Sequence, residues 1–275
     1  MCNPQSAIVN RQSYSPESIQ DGLKTAWLGK GTIRCYETVD STNIEAKRLA
    51  RSGAPEGTIV LAESQSKGRG RMEREWISPR GEGIYMSVVL RPRILPEEVQ
   101  KLTFVAAVAL AFTLRRIGIT PHIKWPNDIL VNGKKVAGIL MELTAGDGVA
   151  DFVIVGIGIN VNTSMNEFPL SMRNLATSIN MVADRVVRRR EIIKILLLQL
   201  ELWYERFLTE SFEIVLEAWR RLSNTLGARV MVVLSDKKLE GIAERVASDG
   251  SLMVRDDKGK LHRVIVGDVV HCRSL

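Results

Sequence analysis

Residues 124–143 read KWPNDILVNGKKVAGILMEL. Two apolar runs, 130–131 and 136–143, flank Asn132-Gly133, a dipeptide that accepts positive φ at the centre of a tight turn. The stretch therefore predicts a β-hairpin. Just ahead of it, Lys124 lies inside the strand-like run HIKW. A cation there is costly unless it faces an anion, either a protein carboxylate or a ligand. Asp128 has three readings: partner of Lys124, helix cap, or metal contact. Trp125, Pro126 and Asn127 shape the turn.

Working outward, residues 58–62, 84–90 and 152–161 read as strands. Helical stretches alternate with them. Thr42 followed by Glu45 fits a capping box, with Gly53 as the stop. Pro96-Glu97-Glu98 opens a helix to about residue 117, whose all-round apolar middle predicts burial. Residues 189–208 and 211–226 predict two more helices, and 16–28 a short one. After Gly227 the texture changes to five short alternating runs, with turn signals at Ser235-Asp236, Asp249-Gly250 and Lys258-Gly259. These predict a small β-barrel. The expected fold class is α+β, a mixed sheet with helices over 1–226 followed by a barrel over 227–275.

Composition bounds the function. The 275 residues carry a formal charge of +7, with 45% apolar and 25% charged residues. That excludes whole-chain disorder. The most apolar stretch, 102–114, falls short of the about 20 residues a membrane span needs. The start, MCNPQSAIVNRQ, lacks the features of a signal peptide. Cys2, Cys35 and Cys272 form no CxxC pair, which points to reduced thiols in the cytoplasm.

Familiar phosphate-binding and nucleophile motifs are absent, and His122, His262 and His271 have no metal-ligand spacing. No metal ligand is predicted. The densest anomaly is QSKGRGRMEREWISPRGEG, residues 65–83. Glycines let backbone N–H groups approach a ligand, and interleaved arginines can bind phosphate or carboxylate bidentately. The bland alternative is a solvated basic loop. Ser41-Thr42-Asn43 reads as a helix cap whose hydroxyls and N–H groups face whatever precedes the helix.

Together STN (41–43), ESQSKGRGRMEREWISPRGEGIYMSVVLRP (63–92), KWPNDILVNGKKVAGILMEL (124–143) and GIGINV (156–161) resemble the biotin–protein ligases. The resemblance runs from about residue 32 to the end, with the motifs in order. It implies a catalytic domain with the mixed sheet of the class II aminoacyl-tRNA synthetases and biotin ligases, followed by an SH3-like barrel. It implies ATP and biotin as substrates, Mg²⁺, and a biotin carboxyl carrier domain as acceptor. Ser41, Thr42, Asn43 and Gln65 would bind the ureido ring. Arg69, Gly70 and Arg71 would hold the acyl and phosphate groups of biotinyl-5′-AMP. Lys124 would contact the reacting oxygens, making Lys124, Arg69 and Arg71 the catalytic set. Trp76 would close over the nucleotide, with Asn127 and Asn160 as further nucleotide contacts. Met72 and Glu73 follow GRGR where many relatives carry smaller or basic residues.

Some relatives carry a winged-helix head that binds DNA. The stretch before Ser41 is too short for one, so a stand-alone ligase without operator binding is expected; a homodimer is compatible with this. The competing enzyme reading is a lipoate–protein ligase, against which the STN turn and GRGR loop count. A nucleic-acid-binding module, suggested by RVVRRR (185–190), is the other alternative; the bland reading of that run is a solvated helix start.

Overall fold

The structure, a computed structural model, describes residues 13–145, 150–234 and 238–271. Cys2, Cys272 and the turn at Ser235-Asp236 lie outside the described residues. A seven-stranded sheet has the order β1-β2-β3-β7-β6-β5-β4. Its strands are β1 (Ile33–Val39), β2 (Ile59–Gln65), β3 (Gly83–Leu90), β4 (His122–Lys124), β5 (Asp128–Val131), β6 (Lys134–Ala145) and β7 (Ala150–Asn160). β1 and β2 run parallel, joined by a helix; every other neighbouring pair is antiparallel. The hairpin expected around Asn132-Gly133 is β5–β6, and both turn residues have positive φ, 50° and 74°. The architecture is the mixed sheet with helices that the sequence predicts.

Alternation along the strands separates two faces. Ile84 and Met86 on β3, Ile139 on β6, and Ile157 and Ile159 on β7 join the main core. The long helices α3 (Lys101–Arg116) and α5 (Arg189–Thr209) pack in that core beside α6 (Phe212–Leu222). The opposite face holds a smaller cluster in which Ala46 and Ala50 of α2 (Thr42–Arg51) meet Val60, Val89, Phe152 and Ile154. That seats the start of α2 on the sheet's second face, where the glycines of β7 also point.

Several helix boundaries differ from expectation for identifiable reasons. The predicted capping box at Thr42 and Glu45 does not form. Ser41 is the N-cap residue, and Glu45 instead accepts from Tyr36 Oη (2.6 Å) and Arg48 Nε (2.9 Å). The helix expected from 96 breaks into a 3-10 turn, Pro96–Glu98, and α3. The helix expected over 16–28 is only α1 (Pro16–Gln20), because the N–H groups of Ala26, Trp27 and Leu28 donate to the Glu201 carboxylate. α6 stops at Leu222 rather than near 226: Asn224 N donates to Ile123 O of β4, and Ser223 Oγ accepts from Thr225 and Leu226 N. A short α4 (Ile179–Ala183) precedes α5.

The run at 185–190 is not a uniformly solvated helix start. Arg189 is buried (3% exposed) and paired with Glu63 at 2.8 Å. Its Nη1 also donates to Tyr14 Oη and to Gly83 O, tying together the end of β2 and the start of β3. This turns inward a cation that a nucleic-acid surface would need outside.

β8 (Arg229–Val233), β9 (Lys238–Val246), β10 (Leu252–Arg255), β11 (Leu261–Val264) and β12 (Asp268–His271) form a second, antiparallel sheet of order β11-β10-β9-β8-β12. Trp125 joins it to the large sheet. Its ring is 1% exposed, its Nε1 donates to Gly250 O at 3.0 Å, and its backbone N donates to Thr225 Oγ1. Among the described residues no helix is long and apolar enough to cross a membrane.

Candidate active site

The floor of the site is made by glycines. In GIGIN, alternation sends Ile157 and Ile159 to the core and Gly156, Gly158 and Asn160 to the other face. A Cβ at Gly156 would lie 2.1 Å from Asn43 Oδ1, and one at Gly158 2.5 Å from the Trp76 indole. Gly138, opposite Gly158 on β6, would bring its Cβ within 3.1 Å of the same ring. Side chains at these positions would fill the space in which α2 and Trp76 now sit.

Ser41, Thr42 and Asn43, at the start of α2, are buried against this floor. Thr42 N and Oγ1 both donate to Gln65 Oε1, at 2.9 and 3.2 Å, and Gln65 Nε2 donates to Ser78 Oγ at 2.9 Å. Ser87 Oγ lies 2.8 Å from Thr42 Oγ1 and 2.6 Å from Asn43 Oδ1. Asn43 Nδ2 donates to Glu142 Oε2 at 2.8 Å. The Ser41 side chain makes no cap bond to α2.

The Gly-rich stretch is an exposed loop that carries its own backbone hydrogen bonds. Arg69 bridges Glu75, Gly70 N donates to Arg74 O at 2.6 Å, and Trp76 N donates to Gly68 O at 2.9 Å. The tip is a turn closed by Arg74 N to Arg71 O, with Met72 at φ 53° and Glu73 at φ 59°. Left-handed backbone favours small residues, so the two positions noted as unusual in sequence are those where a side chain is strained. The stretch lines a cleft of about 760 Å³, with Leu140 and Val266 on its other walls.

Arg69, Arg71, Arg74, Lys124 and Lys135 each face a protein carboxylate. Arg69 Nη1 lies 3.1 Å from Glu142 Oε1. Arg71 donates to Asn127 Oδ1 (3.1 Å) and Gly267 O (3.3 Å) and lies 3.5 Å from Asp268 Oδ1, while Arg74 holds Asp268 Oδ2. Burial pulls the Arg71 guanidinium below its ordinary value, against the charges of Asp268 and Asp128. Lys124 and Lys135 share Asp128, at 3.1 and 2.5 Å. Burial alone would raise the Asp128 carboxyl; the two ammonium groups, Lys135 foremost, outweigh it and hold it below its ordinary value. Of the three readings of Asp128, this geometry takes the first.

Contacts link most of the sequence-predicted residues: Asn43 to Arg69 through Glu142, Arg71 to Asn127, and Lys124 through Asp128 to Lys135 beside Trp76. Asn127 is buried, with Nδ2 donating to Ile139 O at 2.8 Å. Asn160 lies on the glycine face of β7, its Nδ2 donating to Thr177 O at 3.1 Å. Sequence reasoning missed Ser87, Lys135, Glu142 and Asp268. Lys135 Nζ lies 5.4 Å over the Trp76 ring, and the Trp76 Nε1 is buried with no hydrogen-bond partner among the described residues. Among the described residues no group of His, Cys, Asp and Glu could hold a metal.

Two family models match the chain: the biotin/lipoate A/B protein ligase family over residues 35–160, and the biotin protein ligase C-terminal domain over 225–272. The bifunctional ligase/repressor BirA of Bacillus subtilis is 38% identical over 246 residues, covering 89% of this chain and 75% of that protein. The chain belongs to the biotin protein ligase family. The biotin–[acetyl-CoA-carboxylase] ligase of Mycobacterium tuberculosis is 31% identical over 270 residues, covering 96% of this chain and 97% of its own. The Aquifex aeolicus biotin protein ligase, solved in complex with biotin and ATP, superposes with a TM-score of 0.74 at 29% identity, covering 88% of this chain and 99% of that one. The resemblance expected from four motifs is therefore a membership, and this chain is a biotin ligase.

Proposed function

We propose that this ligase activates biotin with ATP as biotinyl-5′-AMP and transfers it to a lysine of a biotin carboxyl carrier domain, such as that of an acetyl-CoA carboxylase. In the first step the biotin carboxylate attacks the α-phosphorus and pyrophosphate leaves. In the second, the acceptor amine attacks the acyl carbon, AMP leaves, and the amine gives up its proton. The observation that carries this reading is the gathering of Arg69, Arg71, Lys124 and Lys135 beside the buried Ser41-Thr42-Asn43 start of α2.

The physical need is plain. Two unit charges 4 Å apart repel by about 4 kcal/mol at an effective dielectric of 20. Preorganised cations offset that repulsion and stabilise the charge that develops in flight. The carboxylate is already ionised at neutral pH, so this step needs no general base. In this reading Ser41, Thr42, Asn43 and Gln65 hold the ureido ring, and Arg69, Gly70, Arg71, Lys124 and Lys135 the acyl-phosphate. Trp76, Asn127 and Asn160 border the nucleotide, and the buried Trp76 N–H is ready for a ligand acceptor. Asp128, Glu142 and Asp268 are already engaged by cations, so the donor set does not fit a resident metal. Mg²⁺ is read as entering on the phosphates of ATP, part of the substrate.

We further read residues 1–226 as the catalytic unit and 227–275 as a C-terminal barrel-like unit. We read the enzyme as cytoplasmic, consistent with the free Cys35 thiol, and assign it no operator DNA. Biotin-dependent exchange of pyrophosphate into ATP tests the reading, with lipoate as control. Exchange with biotin alone is expected; exchange with lipoate but not biotin would overturn it in favour of a lipoate ligase.

A further inference from the structure

We propose that Glu142 is a positioning residue that couples the ring-binding end of the site to the Gly-rich loop; this rests on the biotin reading given above. One carboxylate serves two elements. Its Oε2 accepts from Asn43 Nδ2 at 2.8 Å, and its Oε1 from Arg69 Nη1 at 3.1 Å.

Glu142 lies in an apolar stretch of β6, opposite Ile154, with its side chain 18% exposed. A carboxylate in such a place is costly unless its oxygens are engaged, and here each is, by a different element. Asn43 is more tightly held. It is 3% exposed, its Nδ2 also donates to Leu140 O at 3.3 Å, and its Oδ1 lies 2.6 Å from Ser87 Oγ. Flipping this amide would set its oxygen against the Glu142 carboxylate and the Leu140 carbonyl. Glu142 therefore helps fix which edge of Asn43 faces the ring. Arg69 is the more exposed partner, on the loop and 47% exposed.

The chemistry requires a carboxylate rather than an amide. A carboxylate accepts on both oxygens, whereas glutamine in either orientation presents an NH₂ to one of two donors. When Arg69 swings from Glu142 to the acyl or phosphate oxygens of a ligand, Glu142 loses one of its anchors, and Asn43 senses the change. The loop's state is thereby reported to the ring end without direct contact between Arg69 and the ring.

The test uses a ligand that fills the ring subsite but offers Arg69 no anion: biotin methyl ester, titrated calorimetrically against the full chain. With Glu142 present, Arg69→Ala is expected to weaken ester binding by about threefold to tenfold, the scale of coupling between residues that share a partner. In a Glu142→Ala background the same change should cost less than about twofold. Arg69→Ala leaving the ester affinity unchanged, or weakening it equally in both backgrounds, would overturn the proposal. Thermal melts select folded variants, and Glu142→Gln, which also breaks the link, replaces Glu142→Ala should the latter not fold. Wild-type protein that bound neither biotin nor the ester would instead overturn the reading on which the proposal rests.

Discussion

The Nζ of Lys135 stands 2.5 Å from an oxygen of Asp128 and 5.4 Å over the Trp76 ring, while the other Asp128 oxygen holds Lys124 at 3.1 Å. One carboxylate thus sets the position of two ammonium groups, and the one beside Trp76 is the one that sequence reasoning did not single out. Lys135→Ala and Lys124→Ala are each expected to reduce pyrophosphate exchange by about 10²–10³-fold, the scale of losing one preorganised electrostatic contact. Near-wild-type exchange in either would remove that lysine from the chemistry.

The two glycines of β7 should fail differently. A methyl at Gly156 meets Asn43, and one at Gly158 meets Trp76. Gly156→Ala is expected to raise the KM for biotin, and Gly158→Ala to speed loss of the adenylate. Each should lower kcat/KM by about 100-fold, as for a misplacement of about 1 Å. Steady-state exchange and an adenylate dissociation rate separate the two, and identical profiles would refute the division of the floor.

Arg189 and Glu63 are both almost fully buried, and the Arg189 Nη1 also reaches Gly83 O. Arg189→Met leaves Glu63 uncompensated and is expected to cost about 3–5 kcal/mol in urea denaturation. Adding Glu63→Leu should recover most of that loss. A single substitution costing under about 1 kcal/mol would mean that the pair is not needed to hold β2 and β3 together.

Asp249 gives a pH signature. Burial raises its carboxyl, but hydrogen bonds from Ser251 and Arg263 outweigh this and bring it down to about 2 from an ordinary 3.8. A depressed folded-state value contributes stability above the ordinary value that is lost as pH falls through the folded one. Asp249→Asn should therefore melt below wild type at pH 5, and the gap should close as pH falls from about 4 to 2. A gap constant across that range would show that the charge contributes nothing.

The hairpin at Asn132-Gly133 and the face assignment of GIGIN were legible because turn chemistry and strand alternation are local. Lys124 was legible as an oddity, a charge in an apolar run, and Asp128 was already among its candidate partners. Glu142 carried the same signal in AGILMEL and went unread. The inward turn of Arg189 was not legible, since three consecutive arginines do not say which one enters the core. Asp268 was hidden for another reason: its partners Arg71 and Arg74 lie in the Gly-rich loop between β2 and β3, far from it in sequence, and only tertiary packing brings them together. The missed capping box came from competition, as Tyr36 and Arg48 claimed Glu45.

Arg69 and Arg71, one glycine apart, reach different places: Arg69 stays on Glu142 of the large sheet, whereas Arg71 spans from Asn127 beside β5 to Gly267 and Asp268 at the small sheet. The tripeptide is therefore a ruler for the gap between them. A chimaera that imports the small sheet of a relative without its matching loop would mis-set that gap, and so the two segments, distant in sequence, have to be exchanged as a pair.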